Sequence, residues 1–289
     1  MWPFSKVIES DHCLVDKTVK FKSNANLKGT TILMFCKIGD DFFSSYGSIL
    51  RSNCVVGDKC TLDEDITISS RVRIGNKVNI CSKCVIGDNT DIGDSSYISP
   101  NVKIDRKCTI NDDVMINVDV VIGRHSVLSN NVNVGSSVNI GSFCFFGDSS
   151  FIGKNVNINS NVRIGSSTSI GDHSEINKSV TIGDYVTIGE SCKILECNIP
   201  SKSMIPDNFT VKGVKLIITE NKVAITIIRA LVATDNDDGD PIEELFVTTY
   251  MPGDPDDVNR IECMKLAEAR ELVNSDRCEF DECVKSSLK

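Results

Sequence analysis

The chain has 289 residues, with 31 Lys and Arg against 40 Asp and Glu, a formal charge of −9, 13 Cys and only 6% aromatic residues. Hydrophobic residues make up 40% of it, which excludes a mostly disordered protein, and no apolar run approaches the roughly 18 residues needed to cross a bilayer. The net negative charge argues against a partner that is a nucleic acid polymer, because phosphates would repel such a chain.

The N-terminal residues contain no basic segment followed by an apolar one, so no secretory signal is expected. An odd number of cysteines without such a signal favours a reducing compartment, and we predict a cytoplasmic protein. Residues 1–7 are predicted to form a cap in which Trp2 and Phe4 cover the open end of the repeat that follows. So few apolar residues give little area for a membrane anchor, and no membrane partner is predicted.

A repeat of six residues occupies the next part of the chain. Every sixth residue from Val56 to Ile194 is aliphatic or Phe, and the same register extends back to Ile8 with exceptions at Lys20, Asn26 and Ser44. The residue two places before each aliphatic is small or β-branched, and the two point to the same side of an extended chain. Gly often follows the aliphatic, and Gly, Asn or Asp at a turn accept backbone angles that other residues resist. The repeat therefore predicts short strands joined by turns.

Three hexads make one triangular coil of 18 residues, and coils stack at about 4.8 Å, so residues 8–212 predict about 11 coils. This pattern resembles the hexapeptide-repeat superfamily of acyltransferases, whose fold is the left-handed parallel β-helix. The resemblance implies that fold and a homotrimer. It does not fix the chemistry, since one scaffold hosts several functions.

Seven cysteines fall at the small inward position, where they are expected to pack as small hydrophobes: Cys36, Cys54, Cys60, Cys84, Cys108, Cys144 and Cys192. Cys81-x-x-Cys84 is the one spacing typical of a metal site, but no second pair or His lies nearby in sequence and a structural zinc site needs four ligands. No metal site is therefore predicted.

The segment from Ile199 to Val214 resembles the closing segment of the family's acyltransferases. There the chain leaves the last coil through an Ile-Pro step and reaches a Gly-x-Pro-Ala-Lys ending beside the coenzyme A site. This sequence has Gly213-Val214-Lys215 and lacks the Pro-Ala.

Residues 213–289 are predicted to form a small acidic α+β domain with a charge of −8. We expect strands at Val214–Thr219, Lys222–Thr234 and Leu245–Met251, an acidic loop over 235–244, and a helix from Asp257 to Asn274. The loop misses the spacing of a calcium-binding EF-hand. The domain is either a solvated unit or a docking module for a basic protein partner.

Residues that face outward on the prism are mostly polar, and the apolar exceptions predict a contact surface. We predict a homotrimer whose interface contains Tyr97, Met115, Val127, Phe143, Phe145 and Phe151. The alternative is that these are scattered surface hydrophobics, which are common on proteins.

Stacking by 18 residues also brings charged residues together at one corner. Arg106 would lie beside Arg124, and Lys107 beside His125, with Phe143 one coil further along. Arginine forks bind phosphate in a bidentate manner, and an aromatic ring could stack on a base. The five residues predict an inter-subunit cleft for a small anionic ligand such as a nucleotide or coenzyme A. The alternative is a solvated basic corner.

The family's acyltransferases use a His general base, often two residues after the inward aliphatic or on an extruded loop. This chain has neither at those places: His125 and His173 lie three residues after Ile122 and Ile170. Three hypotheses remain. The first is a non-catalytic trimer that binds a small anion or serves as an interaction scaffold. The second is an acyltransferase with His125 as general base, acting on a nucleotide-sugar or amine, with a coenzyme A thioester as its cofactor. The third is a passive structural rod.

Overall fold

The structure is a computed structural model that describes residues 7–9, 12–218, 224–232, 242–250 and 264–265, with side chains over 12–212. Its described part is built from strands, and most of these strands are two residues long. They stack into three sheets, called A, B and C here in the order in which the chain visits them. This parallel β-solenoid confirms the fold class predicted from the hexads.

Each sheet forms one side of the prism, and neighbouring strands in it come from successive coils. Sheet A has 12 strands: Val7–Glu9, Ala25–Leu27, Phe43–Ser44, Thr61–Leu62, Asn79–Ile80, Tyr97–Ile98, Met115–Ile116, Asn133–Val134, Phe151–Ile152, Ser169–Ile170, Thr187–Ile188 and Met204–Ile205. Sheet C has 11 strands: Lys20–Phe21, Lys37–Ile38, Val55–Val56, Arg73–Ile74, Asp91–Ile92, Thr109–Ile110, Val127–Leu128, Phe145–Phe146, Arg163–Ile164, Thr181–Ile182 and Asn198–Ile199.

Sheet B is the longest, with 15 strands, because it continues beyond the last coil. Its strands are Leu14–Val15, Thr31–Ile32, Ile49–Leu50, Thr67–Ile68, Val85–Ile86, Lys103–Ile104, Val121–Ile122, Asn139–Ile140, Asn157–Ile158, Glu175–Ile176, Lys193–Ile194, Thr210–Ile218, Ala224–Val232, Ile242–Tyr250 and Met264–Lys265. The last three pair antiparallel, and the change begins at an irregularity between Val211 and Gly213. We call the turns between sheets the A–B, B–C and C–A corners.

In the two-residue coil strands the second residue points into the prism, and these side chains form one continuous core that is apolar apart from Ser44. The register that places Ile104 beside Ile122 recurs from coil to coil. Ser44 is the polar exception: it is fully buried, and its hydroxyl shares a hydrogen bond of 2.7 Å with the hydroxyl of Thr30. That bond satisfies a buried polar group that would otherwise be costly.

The inward register predicted for the first coil is wrong by one residue. The turn between Leu27 and Thr31 is one residue short, so Leu14 pairs with Thr31 and Val15 with Ile32. Val15, Phe21 and Leu27 therefore take the inward places, whereas Leu14 is 68% exposed. Two of the three predicted exceptions, Lys20 and Asn26, result from this shift.

A second short turn, after Ile194, shifts the end of the solenoid in the same way. Thr181 pairs with Asn198, and Ile199, Ile205 and Val211 are buried in the core. The chain therefore still forms coils at Pro200 and Pro206 and does not leave the last coil at its Ile-Pro step.

The role predicted for the turn glycines is also wrong. The third residue of nearly every full-length turn has a positive φ, and it is usually a non-glycine, such as Lys59 at 60° or Asp113 at 56°. The Gly after the inward aliphatic is needed for close approach instead. A Cβ on Gly57 would lie 2.5 Å from the carbonyl oxygen of Gly75 in the next coil.

The C-terminal strands lie close to their predicted places, but two details differ. The third strand begins at Ile242, so residues 242–244 belong to it and not to the acidic loop. Met264–Lys265 pairs with Phe246 and Val247 as a strand, so the predicted helix is wrong at these two residues. The rest of that helix, most of the acidic loop, and Trp2 and Phe4 of the cap lie outside the described residues. In the described part, no helix is long and apolar enough to span a membrane.

Candidate functional site

The candidate site lies at the B–C corner, where the chain turns after Ile104, Ile122 and Ile140. The third residue of each turn is left-handed: Lys107 at 58°, His125 at 58° and Phe143 at 61°. The amide of His125 donates to the carbonyl of Arg106 at 3.1 Å, and that of Phe143 to the carbonyl of Arg124 at 2.9 Å. These bonds hold successive turns one coil apart, about 4.8 Å.

The ring of Phe143 contacts two of the polar side chains at this corner, those of His125 and Arg124. The imidazole of His125 stacks on its ring, with centroids 4.9 Å apart and planes inclined by 9°. The guanidinium of Arg124 lies 5.6 Å from the centroid of the same ring. Such contacts orient a cation without neutralising it. The ring face under His125 is not available to a nucleobase, so base stacking on that face is excluded.

The cations of the corner lack carboxylate partners among the described side chains. Among the described side chains, no carboxylate lies within ion-pair distance of Arg106, Lys107 or Arg124. By contrast, Arg73 on sheet C pairs at 2.7 Å with Asp91, which lies one coil further along. The acidic neighbours are held by backbone: Asp88 accepts from the amide of Ser70 at 2.8 Å. Asp105 accepts from the amide of Arg106 at 2.7 Å. The corner therefore presents free positive charge.

Arg106 and Arg124 also take the place of a structural acceptor. At the second turn position of this corner, Asp88 accepts an amide hydrogen from Ser70, and Ser160 accepts one from Ser142 at 3.0 Å. An arginine side chain has no acceptor atom and cannot form this bond. With arginine at this position, the amide of the preceding coil loses its side-chain acceptor. This loss favours a role for Arg106 and Arg124 in binding a ligand and not in stabilising the fold.

The other histidines lie elsewhere. His125 lies at the B–C corner, whereas His12 and His173 lie at the A–B corner many coils apart, so no two of them meet within one chain. Among the described residues, no group of three His, Cys, Asp or Glu side chains could hold a metal ion. Cys84 donates to the carbonyl of Ser99 at 3.1 Å, and Cys81 to the hydroxyl of Tyr97 at 3.1 Å, so the two thiols point to different partners.

The predicted interface residues lie on two faces and one corner. Tyr97, Met115 and Phe151 share the outer column of sheet A, with Asn133 between the last two. On sheet C, Val127 pairs with Phe145. Phe143 lies at the B–C corner beside the sheet C patch.

Two apolar surfaces lie outside the predicted interface. On the outer face of sheet B, Ile49, Val85 and Val121 are exposed, and each is an aliphatic residue just before an inward one. The second is the turn Leu33–Met34–Phe35, which replaces the usual polar turn and is 40%, 49% and 59% exposed.

Between the two short turns each coil has 18 residues and three parallel strands, with an inward aliphatic or Phe at every sixth place except Ser44. This chain has the hexapeptide-repeat fold. No family model matches it, and no curated protein matches it either.

Solved structures with a similar coil include a UDP-N-acetylglucosamine acyltransferase from Bacteroides fragilis, 18% identical, with a TM-score of 0.49 over 68% of this chain and 70% of that one. The Arabidopsis UDP-N-acetylglucosamine acyltransferase is 16% identical, with a TM-score of 0.39 over 69% and 71%. A hexapeptide transferase family protein from Anaplasma phagocytophilum is 19% identical, with a TM-score of 0.26 over 42% and 72%. At these values the likeness adds nothing about activity, and the fold assignment rests on the coils themselves.

Proposed function

We propose that this hexapeptide-repeat protein is a homotrimer that binds a small phosphate-bearing anion, such as a nucleotide or coenzyme A, at the B–C corner between two subunits. The observation that carries the proposal is the unpartnered charge of Arg106, Lys107 and Arg124. The guanidiniums of Arg106 and Arg124 lie one coil apart, so they can bind the oxygens of neighbouring phosphate groups. Each guanidinium can donate two parallel hydrogen bonds to a phosphate.

The trimer is supported by the distribution of exposed apolar residues. A cyclic trimer needs two different patches on each subunit, because its contacts are heterologous. The patches on sheets A and C meet this need, and an axis beside the C–A corner would bring sheet A of one copy towards sheet C of the next. The B–C corner then borders the contact through Phe143 and Phe145.

A thermal-shift series tests the binding site. The protein is heated with coenzyme A, mononucleotides or cyclic nucleotides, and we expect at least one of them to raise the Tm. Arg124→Ala should abolish the shift, whereas Arg73→Ala, which removes an arginine already paired with Asp91, should leave it. An undiminished shift in the Arg124→Ala protein would place the ligand elsewhere.

An acyltransferase is the second candidate, and the fixed ring of His125 favours it. A stacked imidazole is held in one orientation, as a general base requires. Release of thiol from acetyl-coenzyme A with an amine or nucleotide-sugar acceptor would show the activity, and His125→Ala should lower its rate by about 100-fold or more. The absence of the family's Pro-Ala ending and of its usual His position favours the binding protein.

A further inference from the structure

A groove of about 350 Å³ crosses the outer face of sheet C over the first three coils, far from the B–C corner site. Lys20, Lys37 and Val55 line it from the outward strand positions, and the backbone of the inward residues Phe21, Ile38 and Val56 forms its floor. Lys22 and Asp58 also line it. Val55 is exposed and offers apolar surface to a bound molecule, whereas the side chain of Phe21 packs against the core and only the backbone of its strand faces the groove. Ligand sites in proteins are typically concave, mostly apolar and of about this size.

Two lysines face each other across this groove. Lys20 pairs in register with Lys37 on the next coil, and both side chains are exposed. Like charges directly opposite each other on neighbouring strands are destabilising. Further along the same face, residues of opposite charge are paired instead. Arg73 lies across from Asp91 and donates two hydrogen bonds to it, each of 2.7 Å. The lysine pair has no carboxylate partner among the described side chains.

The carboxylates near the groove are already occupied. Lys22 lies 2.9 Å from Asp40 and 2.9 Å from Asp58, so one ammonium bridges both. Asp58 also accepts from the amide of Asp40 at 2.8 Å. Two carboxylates against one ammonium leave this cluster with a net charge of −1, but both acids are engaged by Lys22 and neither lies within ion-pair distance of Lys20 or Lys37.

An exposed apolar turn adjoins the groove where its second strand begins. Leu33, Met34 and Phe35 precede the strand Lys37–Ile38, and the amide of Phe35 donates to the hydroxyl of Thr18 at 2.8 Å. Phe35 has a φ of 61°, which an aromatic residue rarely adopts, while its side chain is more exposed than buried. The surface beside the lysine pair is thus apolar well beyond the groove.

We propose that this groove binds a small amphipathic carboxylate, with its anionic head between Lys20 and Lys37 and its apolar chain along Val55, towards the exposed turn at 33–35. The head group supplies the negative charge that the lysine pair lacks. The chain covers apolar surface that is otherwise in water, and such burial favours binding.

Isothermal titration of the full chain with decanoate tests the proposal, with acetate and decyltrimethylammonium as paired probes. Decanoate should bind at least tenfold more tightly than either, since acetate lacks the chain and the ammonium compound carries the wrong charge. The double variant Lys20→Gln/Lys37→Gln should weaken decanoate binding at least tenfold. Lys103→Gln, an exposed lysine at the same strand position on sheet B, should leave it unchanged.

Circular dichroism and the Tm confirm that each variant is folded before it is titrated, and Val55→Glu provides a second, independent variant that should also weaken binding. Equal affinity for decanoate and acetate, or an unaffected double variant, would overturn the proposal.

A synthetic peptide of residues 235–244 is titrated in parallel. Binding of that peptide with no binding of decanoate would assign the lysine pair to the chain's own acidic segment, and would also overturn it. Because Arg124 is not involved, Arg124→Ala should bind decanoate normally, which separates this result from the B–C corner site.

Discussion

The thiol of Cys60 donates to the carbonyl of Gly75 in the next coil at 3.0 Å. The same contact, from the small inward residue to the carbonyl 15 positions later, is made by Cys108 to Gly123 at 3.2 Å and by Ser96 to Asn111 at 3.0 Å. These carbonyls accept no backbone amide in the described part of the chain. The buried thiols and hydroxyls therefore fill space and also satisfy carbonyls of the turns.

Cys60→Ser should be tolerated better than Cys60→Ala, because Ser keeps the donor while Ala removes it and leaves a small cavity. We expect Ala to cost about 1–3 kcal/mol of unfolding free energy and Ser to cost less. Urea denaturation followed by circular dichroism measures both. Equal losses in the two variants would show that the hydrogen bond contributes nothing.

Gly57→Ala should destabilise the solenoid by about 1–3 kcal/mol, since the new Cβ would lie 2.5 Å from the carbonyl oxygen of Gly75. Ser129→Ala at the same C–A corner is the control, because a Cβ is already accommodated there. The Tm of each variant is measured, and Gly57→Ala should have the lower value. A Gly57→Ala protein as stable as the control would mean that the coils are not packed this closely.

The Lys22 cluster should make stability depend on pH. Hydrogen bonds from the Asp40 amide and from Lys22 lower the pKa of Asp58, and bonds from Ser23 and Lys22 lower the pKa of Asp40. Both carboxylates therefore stabilise the fold above their ordinary pKa of about 4, and this contribution is lost as the pH falls through the lower folded values. The two carboxylates raise the pKa of Lys22 to about 12, so its share persists until the pH rises through that value.

Lys22→Gln should lower the Tm at pH 7, and its difference from the unmodified protein should shrink towards pH 2. Lys77→Gln, an exposed lysine without a described ion pair, is the control and should show no such trend. A Tm difference for Lys22→Gln that stays constant from pH 7 to pH 2 would show that the cluster does not couple to folding.

Met115→Glu should dissociate the trimer, because it places a charge in the middle of the sheet A patch. Light scattering after gel filtration should give about three times the chain mass of 31.6 kDa for the unmodified protein and one chain mass for the variant. Thr187→Glu lies on the same face but several coils away and should remain trimeric. A trimeric Met115→Glu protein would move the interface off sheet A.

The hexads predicted the coil, the core and the columns of stacked residues. If each hexad forms one side of a three-sided coil, only one arrangement buries the aliphatic residue of every hexad. The column of Lys107, His125 and Phe143 follows from that count alone. Two other features could not be read from the pattern. The short turn at Gly29 shifts the register by one residue and so places Lys20 opposite Lys37. The stacking of His125 on Phe143 depends on side-chain orientation, which a period does not determine.

A crystal structure of the protein with coenzyme A at saturating concentration tests the account most directly. We predict a trimer with phosphate oxygens within hydrogen-bond distance of Arg106 and Arg124, and a neighbouring subunit closing the B–C corner. Coenzyme A bound at another surface, or a B–C corner facing open solvent without ligand, would contradict it.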